Sequence, residues 1–305
     1  MAGLIGVALA LSLGASSAQA SPVAGAPNCP VFPTDNWWNL KVDTLPVASN
    51  SAQIVNSIGP STGLHPDFGS GLWNGSPIGI PITVVPGTQQ KVSVSFQYAS
   101  ESDAGPYPIP SNVQIEGGSD RHALIVDKDN CKLYELYALA KKGKRWSAGS
   151  GAIWSLGSNA LRPLGWTSAD AAGLPIVPGL ARYNEVANGV IDHALRFTVS
   201  STRRAYVYPA RHYASSLTST SLPPMGLRLR LKASFDISGF PPQARVVLQA
   251  LKTYGMMVAD NGSNWFISGE PNTNWNNDDL HTLGQVLGSN FEVVDTSSLP
   301  VPASG

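Results

Sequence analysis

Between residues 191 and 199 apolar and polar positions alternate without a break. Ile191, His193, Leu195, Phe197 and Val199 fall on one side, with Asp192, Ala194, Arg196 and Thr198 on the other. Successive side chains of an extended chain point to opposite faces, so this period of two predicts a strand with one buried face that carries a histidine inward. Residues 200–203 read as a polar turn. Residues 204–213 read as a second β-rich run, with Arg204, Tyr206, Tyr208 and His212 on one side, completing a hairpin. Alternation returns at 227–235, where Leu227, Leu229, Leu231, Ala233 and Phe235 interleave with Arg228, Arg230 and Lys232. Two more hairpins are expected, 122–127 with 132–139 across Asp127-Lys128-Asp129-Asn130, and 256–259 with 265–268 across residues 260–263. Further strands are expected at 80–85, 91–98 and 291–294.

Helical spacing is rarer. Ile54, Val55 and Ile58 form a stripe after Asn50-Ser51 and before Gly59, which suits a short capped helix. Pro241-Pro242 opens a second helix with Ala244, Val247, Leu248, Leu251 and Tyr254 on its apolar face and Gly255 at its end. A third is expected near 277–286. Residues 141–188 read as mostly irregular and Trp-rich, with a short helix at 167–172. Together these patterns predict a mainly β protein, a single-domain β-sandwich or jelly-roll-like core with about three short peripheral helices.

Composition supports that class. Gly (30) and Pro (24) are frequent, which favours short strands and many turns. Twenty basic and twenty acidic residues cancel, so no net field draws the chain to nucleic acid or a membrane surface. Residues 1–20 form an apolar run ending in Ala18-Gln19-Ala20, a signal-peptidase pattern, although no Lys or Arg precedes it. The organisation expected is a signal peptide at 1–20, one β-rich domain at 21–295 and a flexible tail at 296–305. A secreted, extracellular or periplasmic monomer follows, off the membrane after cleavage. The two cysteines of an exported chain, Cys29 and Cys131, are expected to form one disulfide.

Inward histidines and carboxylates are the candidates for chemistry. His122 and His193 fall on apolar strand faces, and His212 lies on the run expected beside His193. Glu135 shares a face with Leu133, Tyr137 and Leu139, where burial would raise its pKa and suit a general acid. Glu185, Asp192, Asp260 and Glu270 are further carboxylate candidates, although Asp260 before Asn261-Gly262 reads first as a turn residue. A metal held by His122, His193 and His212 is a weaker reading, because no ligand pair has a diagnostic spacing, and no cofactor is expected. Gly59-Pro60-Ser61-Thr62-Gly63 matches a nucleophile elbow in letters alone, since a helix pattern precedes it where a strand is required.

Tryptophan sets the substrate class. Trp73, Trp154, Trp265 and Trp275 sit among Asn, Ser and Gly, a setting that suits stacking on sugar rings as well as anchoring of loops. Arg228 and Arg230 add a basic stripe for a charged polymer. The reading is a carbohydrate-active enzyme, a glycoside hydrolase with two carboxyls across a Trp-lined cleft. One alternative is a polysaccharide lyase acting on a uronate polymer through His193, His212, Tyr206 or Tyr213, and Arg211. The other is a non-catalytic carbohydrate-binding or surface-adhesion domain.

The stretches GLPIVPGLARYNEV, DHALRFTV, YVYPARHYAS, PPMGLRLRLKASFDISGF and YGMMVADNGSNWFISGEP resemble a widespread group of secreted bacterial proteins. Some members are attached to larger extracellular chains. The resemblance spans most of the chain after residue 20 and implies secretion and a single domain. It brings no activity and no catalytic residue.

Overall fold

The computed structural model describes residues 20–301. Apart from Ala20, the expected leader lies outside them, as do the last four residues of the expected tail. In chain order the strands are β1 (His65–Asp67), β2 (Leu72–Trp73), β3 (Ser76–Pro77), β4 (Ile82–Val85), β5 (Val94–Phe96), β6 (Ala123–Asp127), β7 (Lys132–Tyr137) and β8 (Ala140–Lys142). They continue with β9 (Arg145–Ala148), β10 (Ser150–Ser155), β11 (Leu195–Val199), β12 (Arg228–Leu231), β13 (Met256–Asn261), β14 (Phe266–Ser268) and β15 (Phe291–Val293). Among the described residues four α-helices accompany them: α1 (Ser51–Ile58), α2 (Tyr183–Ala187), α3 (Pro242–Thr253) and α4 (Asn277–His281). The protein is mainly β, with a sandwich-like core.

Two sheets carry that core. The larger has the order β1-β14-β11-β13-β12-β15, and the smaller β10-β7-β6-β4. Pairing is mixed, with β1 and β14, β11 and β13, and β4 and β6 parallel. Leu195, Phe197 and Val199 of β11 join Val247, Leu248 and Leu251 of α3 in the largest apolar cluster. Every residue of β6 is buried. One face of the smaller sheet (Leu124, Val126, Leu133, Trp154) meets the N-terminal segment, and the other (Ala123, Ile125, Tyr134, Leu136) packs on Tyr107 and Ile109. A sheet covered on both faces reads as a continuous apolar run.

Residues 167–181 form a strap between the two sheets. Toward the smaller sheet, Ser168 O accepts from Ser150 Oγ (2.6 Å), and the N–H groups of Ile176 and Val177 donate to Glu135. Toward the larger, Ala172 N donates to Ala259 O (2.9 Å) and Ala181 N to Ser268 O (3.0 Å). These side-to-side bonds replace an internal i→i−4 ladder, so the helix expected at 167–172 does not form.

Other expectations are corrected. The run 204–213 is not a strand: Tyr206 makes an isolated bridge to Met225, Pro209 has no N–H to donate, and the Arg211 and His212 N–H groups bond to Ala172 O of the strap. β13 and β14 do not pair with each other, because β11 lies between them. The region 141–188 holds β9, β10 and α2, which its small and charged residues hid. At Gly151 of β10 a Cβ would stand 2.4 Å from Tyr107 Oη, so the strand must be locally bare.

Cys29 and Cys131 are bonded, with Cα atoms 5.1 Å apart. The link pins the N-terminal segment to the β6–β7 turn across a separation of 102 residues. Replacing both cysteines by serine is expected to lower stability by about 2–4 kcal/mol, chiefly by freeing the unfolded chain. Urea unfolding of the variant, beside the wild type with and without reductant, checks this.

Candidate functional site

The strap places a polar layer between the sheets. Arg196, on the β11 face opposite Phe197, donates from Nε and Nη2 to the two oxygens of Asp170 (2.8 and 2.6 Å), and Nη1 bonds to Ser268 Oγ. Asp170 is fully buried, so the two-pronged pair fixes the strap to the larger sheet. Next to it the β11–β13 register slips: Phe197 faces Val258, but Thr198 faces Asp260. The bulge at Ala259 turns its carbonyl to the strap and re-aims Asp260. Asp260 Oδ2 accepts the Ala171 N–H (3.3 Å), and Oδ1 accepts the Asn261 N–H (2.6 Å).

Asp260 lines a cleft of about 380 Å³ together with Glu101, Asp120, Tyr98, Tyr137 and His212. Desolvation, reinforced by the Asp170 charge and opposed by Arg196, raises its pKa to about 7. A carboxyl that keeps its proton near neutrality can act as a general acid. Glu101 Oε2 accepts the Thr167 N–H (3.1 Å) and lies 3.8 Å from His212 Nε2. His212 Nδ1 donates to Ala171 O (2.8 Å), which leaves Nε2 as the nitrogen facing Glu101. Arg162 braces this wall, donating to Asp103 Oδ2 (2.6 Å), Glu101 O (2.7 Å) and Thr167 O (2.6 Å).

Behind the strap lies His122. Its Nε2 bonds to Ala169 O (3.0 Å) and its Nδ1 to Glu116 Oε2 (2.5 Å); both partners accept, so both nitrogens carry hydrogen. Burial pushes its pKa down, but the Glu116 bond and charge outweigh burial and lift it to about 9. Burial would raise Glu116, and His122 reverses that too, holding it below the usual range. A histidine with a raised folded pKa adds stability that is complete below about 6.5 and lost as pH rises through about 9. The Glu116 contribution is present above its ordinary value near 4.5 and fades as pH falls through its lowered one. His122→Gln is therefore expected to be destabilised most near pH 6, with the gap to wild type closing by about 3 kcal/mol by pH 10. Urea midpoints at the two pH values check this.

The other expected site residues scatter. Glu135 is fully buried, and burial pushes it up to about 7 against the Val177 and Ile176 N–H bonds that pull it down; it does not line the cleft. Glu185 and His193 meet each other (3.1 Å), with Arg182 as third member, in a buried cluster away from the cleft. Burial would raise Glu185, but Arg182 and His193 hold it low. Asp192 touches Tyr254 Oη at 3.4 Å, and Glu270 accepts the Tyr183 N–H. Arg211 Nε donates to Arg162 O. His122, His193 and His212 bond to separate partners, and among the described residues no three His, Cys, Asp or Glu side chains gather as a metal would require.

The basic stripe is not a surface. Arg228 (2% exposed) donates to the carbonyls of Tyr254, Trp37 and Leu40, and Arg230 (8% exposed) to those of Val42 and Leu45 and to Glu292. Both arginines clamp the N-terminal segment to β12. Trp154, Trp265 and Trp275 are buried, the last two donating from Nε1 to Gly59 O and Glu270 O. Trp73 alone of the four is exposed. Reading of the sequence missed Glu101, Glu116, Asp120, Asp170 and Arg196 as site residues; the one signal available was a charged pair position, Arg196, on a strand with a buried face.

Comparison with protein-family models, with curated proteins and with solved structures found no match to the chain. Among the described residues no helix is long and apolar enough to cross a membrane.

Proposed function

We propose that the protein is a secreted glycan-active enzyme, a glycoside hydrolase working in the Asp260 cleft. The observation that carries this reading is Asp260 itself, a carboxyl on a strand bulge, open to the cleft and held protonated to about pH 7. In the reaction Asp260 gives its proton to the glycosidic oxygen as the bond to the anomeric carbon breaks. Water adds to that carbon, and its proton passes to a second carboxyl, for which Asp120 and Glu101 are placed on the same cleft. Tyr98 and Tyr137 supply ring faces and hydroxyls for a sugar.

Hydrolysis fits better than elimination on a uronate. That lyase chemistry needs a cation at the substrate carboxylate, whereas no Lys or Arg is among the described residues lining this cleft. Of the residues that would serve it, His212 lines this cleft and stacks on Tyr213, which stacks on Tyr206, whereas His193 is buried elsewhere against Glu185 and Arg211 Nε is bonded to Arg162 O. Secretion accords with the pattern at 1–20 and with the disulfide.

The test is reducing-end release from a panel of plant, algal and microbial polysaccharides, read beside ultraviolet absorbance for unsaturated products. Release by wild type and its loss in Asp260→Asn supports the reading. Unsaturated product would replace it by a lyase, and binding without release by a carbohydrate-binding domain.

A further inference from the structure

A second cleft, about 600 Å³, adjoins the first at Asp120, which lines both. Its floor is β1, the edge strand of the larger sheet, which presents His65 and Asp67. Glu116 and Asp120 come from the loop before β6, and the β2–β3 hairpin closes the far side with Trp73. Two contacts hold that hairpin in place. The Asn277 side chain accepts the Ser70 N–H (2.9 Å) and donates to Ser70 O (3.0 Å). At Gly117 an added Cβ would stand 2.5 Å from Ser76 Cβ, so glycine lets the loop lie directly against β3.

The consequence is an indole that packs on no core. Trp73 is 69% exposed, whereas Trp154, Trp265 and Trp275 are buried anchors. A flat ring at the lip of a cleft that also offers carboxyl groups suits a sugar ring, which stacks one face and hydrogen-bonds at its edge. Each cleft alone has the volume of a small-molecule site, and the two adjoin at Asp120.

We infer that the substrate is a glycan chain running through both clefts, with the scissile bond at Asp260 and distal sugars stacked on Trp73. The enzyme then cuts internal bonds of a polymer. This rests on the hydrolase reading for the bond broken, and on the adjoining clefts and Trp73 for the length bound.

Oligosaccharides of two to six residues from the cello, xylo, manno and chito series test it. Cleavage by wild type, Trp73→Ala and Trp73→Phe is measured, and binding to Asp260→Asn, with and without Trp73→Ala, is followed by calorimetry. The hexamer-to-dimer ratio of kcat/KM is expected to fall roughly tenfold in Trp73→Ala and to recover largely in Trp73→Phe, which keeps the ring face. A ratio unchanged in Trp73→Ala overturns the inference while leaving the hydrolase intact. If wild type cleaves none of the series, hexamer binding that exceeds dimer binding and depends on Trp73 keeps the long groove and discards the hydrolase. Absence of binding to every oligosaccharide overturns both.

Discussion

Asp260→Asn is expected to lower kcat by about 10²–10⁴-fold, the range a positioned general acid supplies, while making the protein more stable at pH 8. The two effects share one cause. The Asp260 pKa is raised from an ordinary 3.8 to about 7 by desolvation first and by Asp170 second. An acid whose folded pKa exceeds its unfolded one lowers stability progressively as pH rises from about 4 to about 7, because only the unfolded chain ionises freely. The neutral amide escapes that penalty and keeps an oxygen for the Asn261 or Ala171 N–H. A gain on the order of 1–2 kcal/mol at pH 8, vanishing near pH 4, is the expected size after allowing for partial solvent screening of a half-buried group. Wild-type kcat should fall on the alkaline side with a midpoint near 7, as the acid loses its proton. Steady-state rates and urea midpoints across pH 4–9 decide the matter. A variant that retains most of its activity would remove Asp260 from the chemistry, and one that is less stable at pH 8 would contradict the desolvation argument.

The sequence made some parts of this molecule legible and hid others for identifiable reasons. β11, α3 and the β6–β7 hairpin follow from local rules, alternation, a helical stripe ended by Gly255, and a polar turn in which Asp127 accepts the Asp129 and Asn130 N–H groups. The disulfide was likewise readable. The site was not, because the strap that builds it has no period: its backbone bonds go to two different sheets. Asp260 reads as a turn residue because the bulge that turns it into the cleft depends on the β11 register, a tertiary fact. Arg228 and Arg230 occupy the polar half of a clean alternation, which suggests solvent. Their face is instead covered by residues 37–45, whose carbonyls absorb the guanidinium donors. Polar neighbours around Trp265 and Trp275 likewise suggest exposure, yet each indole N–H finds a carbonyl and the ring is buried. His193 was correctly expected to lie inward, but Glu185 and Arg182 meet it there.

Arg196→Met is expected to destabilise the protein by about 3–5 kcal/mol, because it leaves the carboxylate of Asp170 buried without its cation. Asp170→Asn strands the guanidinium in the same way. The pair acts as one unit, so the double variant should cost clearly less than the two single losses added together. Desolvation would lower the Arg196 pKa, and Asp170 more than reverses it, which marks the strength of the coupling. The same pair tunes the cleft, since Asp170 raises the Asp260 pKa and Arg196 lowers it. Asp170→Asn should therefore move the alkaline limb of the rate profile to lower pH, toward an ordinary aspartate. Arg196→Met should move it higher in whatever fraction folds. Urea midpoints of the two singles and the double give the coupling energy, and the rate profile of Asp170→Asn gives the shift. Additive losses would mean that the strap is held by its backbone bonds alone. An unmoved limb would mean that Asp260 owes its raised pKa to desolvation without help from Asp170, and that the strap positions the acid but does not tune it.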